Sequence, residues 1–290
     1  SFVSGGAPLF LPLANLPGVN EVSLSVAVAS TAAGTSSAQA VVFDATAPLG
    51  FVLSQGVQLD ISVLPADPSA PGPTTVSGIT SVDVVNAPTC WSTTGGVSFY
   101  GTSFSTINVF AGGTVQFGAT DTDTSPSLAD AFDGPGRVGF WTALDPSEGG
   151  TVTISSPMQD IIRVDWAGVF YDGGGPGVTF GIQFDCVTGV ITMDGLQGIA
   201  PNPTLTSTTD DQWLGICQGT TFPNTTIPPP AGFGPGLSGS SFYATDMLYE
   251  FNDVSATMMG IPASIAAGMN VLTFTPITVG MGTGYMWAGT

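Results

Sequence analysis

Residues 99–118, FYGTSFSTINVFAGGTVQFG, constrain the fold more than any other stretch. Thr106, Asn108 and Phe110 alternate with Ile107 and Val109, and beyond Gly112-Gly113 the residues Val115 and Phe117 flank Gln116. A period of two puts one row of side chains in a core and the other in solvent. A Gly-Gly pair between two such runs reads as a hairpin turn, because Gly supplies the positive φ that a tight turn needs. The expectation is an antiparallel β protein.

Composition points the same way. The chain has 40 Gly and 23 Pro, which favours many short strands and turns over helices. Charged residues make up 8%, against about 25% in an ordinary soluble domain. Mean hydropathy is +0.38, yet no apolar run reaches the roughly 18 residues of a membrane span.

The charges that exist are almost all acidic. Twenty-one Asp and Glu face two basic residues, Arg137 and Arg163, for a net charge of −19. Nothing is available to neutralise phosphates, so the chain is not expected to bind nucleic acid, and anionic membrane surfaces are disfavoured. His and Lys are absent. Ser-His and Cys-His nucleophile pairs, His-ligated metal centres, Schiff bases and P-loops are therefore excluded. Carboxylate-only chemistry survives, either a glycosidase pair or an oxygen-ligated Ca²⁺. The three cysteines, Cys90, Cys186 and Cys217, form no CxxC. They allow one disulfide, with three choices of pair. The chain begins at Ser1, which implies that a signal peptide has been removed and that the protein is extracellular or at the cell surface. Asn224-Thr225-Thr226 is a formal glycosylation sequon.

Four regions follow in order. Residues 1–20 carry Pro8, Pro12 and Pro17 and cannot form a helix, so they read as an extended apolar arm. Phe2, Leu9, Phe10 and Leu11 are the side chains such an arm would bury on a neighbouring subunit, making a homo-oligomer. Residues 21–85 form an N-terminal β region, with strands at 22–28, 41–43, 57–63 and 76–85, a long turn at 30–39 and a Pro-rich break at 65–73. Residues 86–220 form the central sandwich. It holds the opening hairpin, a surface loop at 119–136 and strands near 138–141, 151–155, 161–169, 178–186 and 190–194. Phe180, Ile182, Phe184 and Cys186 share one face, which buries Cys186. Residues 221–290 form a C-terminal loop and closing strands: a strand within 242–251, one or two helical turns within 258–269, and a last strand at 271–279. Pro276 in that last strand demands an edge or a bulge. The fold class is an all-β antiparallel sandwich, jelly-roll-like, with additional N-terminal and C-terminal strands.

The central segment, 99–216, resembles the nidogen-like module of secreted bacterial surface and matrix proteins. The carrying pieces are FYGTSFSTINVFAGGTVQFG, FWTALDPSEGGTVTI (140–154), VDWAGVFYDGG (164–174), VTFGIQF (178–184), GVITM (189–193) and WLGI (213–216), in the family's order. Where the family tends to carry Asp after the Trp, Thr142 and Ala143 precede Leu144-Asp145. The end of the chain, 271–287, is similar to tail strands that follow this module. The resemblance implies an extracellular β-sandwich used in matrix, adhesion or surface structures, with no active site to transfer. Trp141 and Trp166 are large enough to fill the gap between two sheets about 10 Å apart. Cys90 lies just before this segment and Cys217 near its end, so Cys90–Cys217 is the expected disulfide.

Among candidate sites, Asp121 and Asp123 offer alternate carboxylates to Ca²⁺. Asp210-Asp211 is a second pair of that kind. Glu21, Glu148 and Glu250 are the only glutamates for a glycosidase pair. Trp91, Trp213 and Tyr243 are candidate sugar platforms. The expected function is a non-enzymatic extracellular structural protein that self-assembles into a filament, sheet or coat. The alternatives are a monomeric secreted glycan- or matrix-binding module and a carboxylate glycosidase.

Overall fold

The computed structural model describes residues 96–158, 160–201, 211–219, 230–241, 247–253, 261–279 and 282–290, with strand backbone at 34–38, 41–43, 51–53, 57–61, 74–76 and 82–86. The expected arm at 1–20 and the strand at 22–28 lie outside the described residues. The chain divides into two units, Ser1–Pro65 and Ala66–Thr290. The division falls at the start of the Pro-rich break.

In the first unit, β1 (Gly34–Ala38) pairs antiparallel with β4 (Val57–Ile61), and β2 (Val41–Phe43) pairs with β3 (Phe51–Leu53). The long turn expected over 30–39 thus contains a strand. Its sequence GTSSA has no apolar alternation, but backbone pairing with the strongly alternating β4 does not require one.

The second unit holds two large antiparallel sheets. The six-stranded sheet runs β19 (Met247–Asn252), β17 (Gln212–Cys217), β11 (Gly136–Trp141), β10 (Thr114–Phe117), β9 (Thr106–Phe110), β6 (Val82–Asn86). The nine-stranded sheet runs β18 (Ser238–Ser241), β21 (Gly282–Gly289), β20 (Leu272–Val279), β16 (Ile191–Gly198), β15 (Val178–Asp185), β14 (Ile161–Tyr171), β13 (Thr151–Ser155), β5 (Thr74–Val76). Its ninth strand, β12 (Leu144–Asp145), also pairs with β14. A separate hairpin joins β7 (Val97–Phe99) and β8 (Thr102–Phe104). The helices are α1 (Leu128–Asp133) and α2 (Ala263–Ala266). The single strand expected over 76–85 is two strands, β5 and β6, in different sheets; Ser77-Gly78 interrupts the apolar run between them. Strands before 86 and after 220 therefore complete the same two sheets as the central segment.

The sheets pack face to face over an aromatic core. Trp166 stacks on Phe180 with ring centroids 4.7 Å apart, and its indole N–H donates to the Ala111 carbonyl of the opposite sheet at 3.0 Å. Phe140 meets Phe180 edge-on, and Phe99 stacks on Phe117. Side chains of this size contribute about 1.5–3 kcal/mol each when fully buried.

The other face of the six-stranded sheet is buried too. Phe110, Trp141, Trp213, Cys217, Met247 and Tyr249 form a second cluster with Ala131 of α1. Alternation in β9 and β10 suggested a solvent row, yet Asn108, Thr114 and Gln116 are all buried. The cause is the stretch 119–135, which is not a plain surface loop. It folds back over the sheet and carries α1, capped by the Ser127 hydroxyl accepting from Asp130 N–H. The Gln116 amide clamps the Asp121 backbone at 2.7 and 2.8 Å, and the Trp141 indole donates to the Asp123 carbonyl. Trp141 thus fills this outer cluster, and of the expected pair it is Trp166 that fills the gap between the sheets.

Pro276 sits on β20 opposite Tyr285 of β21. On its other flank β16 pairs only with Leu272, Thr273 and Phe274, so Pro276 lies past the end of β16, where a backbone donor is not needed. The strand β21, following the expected last strand, is concealed in sequence by three glycines in GTGYMWAG.

Candidate functional site

Three carboxylates converge beside the short strand β12. Leu144 and Asp145 pair with Tyr171 and Phe170 at the end of β14, so Asp172 follows directly on the strand that holds Asp145. The turn after Asp145 closes locally. The Asp145 carboxylate accepts from Ser147 N–H at 2.8 Å, and its carbonyl accepts from Glu148 N–H at 3.2 Å. Glu148 is carried across to the next turn, where it accepts from Gly173 N–H at 3.2 Å. Asp145, Glu148 and Asp172 each place a carboxylate oxygen within 4.8 Å of the others. Asp145 is buried, while Glu148 and Asp172 are exposed. An all-oxygen set at this spacing suits a hard divalent cation of the Ca²⁺ type. Glu148 stood out in sequence only as a glutamate, and Asp145 only where the chain departs from the family pattern after Trp141. The signal that joins them is strand pairing, which brings DPSEGG against YDGG.

Asp121 and Asp123, the sequence candidates for Ca²⁺, are used otherwise. Asp121 accepts from the Arg137 guanidinium at 2.9 Å and from Asp123 N–H at 2.9 Å; Asp123 accepts from Ser125 N–H at 2.8 Å. These are turn-closing bonds and one ion pair, a role set by the buried arginine. Arg137 is fully buried, with its guanidinium 3.9 Å above the Trp141 ring. Burial holds it below the ordinary arginine value, and the bond to Asp121 offsets only part of that.

Arg163, the second basic residue, lies on the outer face of the nine-stranded sheet. It donates to both Asp194 oxygens at 2.8 Å and to Asp165 at 2.8 Å. Hydrogen bonding to Asp194 holds it above the ordinary arginine value. Gly181 makes room for it, since a Cβ there would stand 2.3 Å from its guanidinium. Both arginines are thus paired within the chain.

The expected Cys90–Cys217 disulfide is not formed. Cys186 is disulfide-bonded, and Cys217 keeps its thiol. The Cys217 sulfur accepts from Gly219 N–H and faces the outer cluster beside Arg137, its register partner. Strand alternation places Cys217 on the opposite face of its sheet from the inter-sheet core that holds Cys186.

The remaining candidates are dispersed. Trp213 is fully buried and is no sugar platform, whereas Trp91 and Tyr243 lie outside the described residues. Glu250 is buried and accepts from the Ser264 backbone N–H and hydroxyl. Glu21, Asp210, Asn224 and Cys90 lie outside the described residues, and Asp211 is half-buried. Among the described residues no helix is long and apolar enough to cross a membrane. Compared with known proteins, the chain matches no family model, no curated protein and no solved structure.

Proposed function

We propose that the protein is an extracellular structural subunit that self-assembles into a filament, sheet or coat. The observation that carries this reading is the distribution of charge. In a chain of net charge −19, neither 212–245 nor 254–290 contains an Asp, Glu, Lys or Arg. The strands β18, β21 and β20 therefore form an uncharged margin of the larger sheet, where like-charged copies meet with least repulsion. The disulfide at Cys186 supports an oxidising, extracellular compartment. The motif order of 99–216 supports a nidogen-like surface or matrix module. A non-catalytic role accords with the way acids are spent: Asp121, Asp165 and Asp194 neutralise arginines, and Asp145, Asp185 and Glu250 tie down turns.

Negative-stain microscopy and light scattering of the purified chain test the reading. Ordered, concentration-dependent particles are expected. A monomer at every concentration and salt overturns it and favours the glycan- or matrix-binding alternative, which a glycan array then addresses.

A further inference from the structure

The two sheets end side by side at β18 and β19, and the two edges are finished differently. On β19, Ala231 N–H bonds the Tyr249 carbonyl at 2.7 Å, and the Glu250 carboxylate is taken up by Ser264. On β18, Gly289 N–H of β21 bonds the Leu237 carbonyl at 3.0 Å. Antiparallel pairing alternates, so Gly239 faces β21 with its backbone groups, while those of Ser238 and Ser240 point away from the sheet. No backbone partner for Ser238 or Ser240 on that side occurs among the described residues.

Proteins protect such an edge with charged side chains, proline or a bulge. Pro235 and a bulge at Gly236-Leu237 opposite Gly289 end the edge on one side, but the four residues of β18 itself, SGSS, carry no charge and no proline. Ser238 and Ser240 are exposed, and so are Leu237 and Met286 beside them, at 54% and 46%. Electrostatics favours a second copy of this chain as the occupant. On this sheet the nearest strand bearing an acid is β16, with Asp194, three strand spacings in from β18. That is roughly 14 Å, beyond the Debye length of about 8 Å at physiological salt. Two larger sheets joined edge to edge keep their sheet acids about twice that far apart. The one acid on the neighbouring β19, Glu250, is buried and held by Ser264, so neither partner strands an unpaired charge in the contact.

We propose that two copies pair antiparallel through β18, about a two-fold axis, joining their nine-stranded sheets into one. This rests on the self-assembly reading and names the contact. With the axis at Gly239, Ser238 of each copy lies opposite Ser240 of the other, and their outward N–H and C=O groups exchange bonds across the axis.

The test uses sedimentation velocity on the full chain, wild type against Ser240→Glu, Ser238→Glu and Thr151→Glu. With the axis at Gly239, an acid at 238 or 240 lies diagonally from its own copy, about 7–8 Å away. Self-association is expected to weaken by about tenfold at low salt and to recover in part at high salt. Thr151 is exposed on β13, far along the sheet, so Thr151→Glu is expected to associate like wild type. Ser240→Pro removes one outward N–H without adding charge, and the same loss is expected with unchanged thermal unfolding. If wild type assembles and the β18 variants assemble equally well, the edge contact is overturned and the assembly reading stands. Equal weakening by Thr151→Glu overturns it too, because the effect is then general repulsion. A wild type that stays monomeric overturns both.

Discussion

The guanidinium of Arg137, wholly shielded from solvent, donates to the carboxylate of Asp121 at 2.9 Å. The pair joins β11 to the stretch that folds over the outer face of its sheet. Replacing Asp121 with Asn keeps the shape and leaves a buried charge uncompensated. Such a loss costs about 3–5 kcal/mol, and the lower end applies because the Asp121 side chain is 23% exposed. Urea denaturation of Asp121→Asn should show a lower midpoint, and a change within error of zero would mean that water replaces the partner.

The β9–β10 turn depends on Gly113. It sits at φ +97°, and a Cβ there would lie 1.9 Å from the Phe140 carbonyl oxygen. The contact is backbone, so no side chain can move aside. Gly113→Ala should destabilise by about 3 kcal/mol or more, combining left-handed strain with displacement of β11. Thermal unfolding measures this, and an unchanged midpoint would contradict the turn geometry.

Burial also sets the alkaline limit. Tyr171 and Tyr285 are buried, and desolvation raises both hydroxyls above the ordinary tyrosine value. The unfolded chain ionises at about pH 10, while the native chain holds these protons longer. Above that pH the native state binds more protons than the unfolded state, so stability falls as pH rises. Below about pH 10 their contribution is fully present. Burial raises the Tyr249 hydroxyl as well, so absorbance at alkaline pH should show at least three of the five tyrosines titrating late or only with unfolding. Early ionisation of all five would refute this.

Much of the fold was legible as alternation. The hairpin β9–β10, the strands β4, β13, β14 and β15, and the burial of Cys186 follow from period-two runs between Gly and Pro breaks. What alternation could not convey is which face meets water, because 119–135 covers a row that reads as polar. Hence Trp141 sits in the outer cluster and Arg137 is buried. Small-residue strands such as GTSSA, SGSS and GTGYMWAG were illegible for a related reason: their partners, not their side chains, make them strands. The carboxylate group at Asp145, Glu148 and Asp172 needed the pairing of β12 with β14, a contact about 25 residues apart that no local motif encodes.

Those three carboxylates repel one another in metal-free buffer. Asp172 is exposed, and Asp172→Asn removes one of the three charges. With a chelator present, stability should rise by up to about 0.5 kcal/mol, the scale for exposed like charges. Calorimetry reads the sign. A lower melting temperature under chelator would assign the Asp172 carboxylate a structural role beyond repulsion.

The disulfide gives the last expectation. Cys186 is bonded and Cys217 keeps its thiol, and the sequence offers one other cysteine, Cys90. Peptide mapping without reduction should recover Cys90 joined to Cys186, with Cys217 alkylated only after unfolding because it is buried. A bridge between these positions closes a loop of nearly a hundred residues. In the chain-entropy model that stabilises by roughly 4–5 kcal/mol. Reduction should therefore lower the melting temperature substantially, and Cys90→Ser and Cys186→Ser should each reproduce the reduced protein. Cys217→Ser should leave the disulfide intact. Its cost is limited to swapping a buried thiol that accepts from Gly219 N–H for a smaller, more polar hydroxyl. A peptide containing Cys217 in disulfide linkage would overturn the pairing, and with it the separation of the inter-sheet core from the outer cluster.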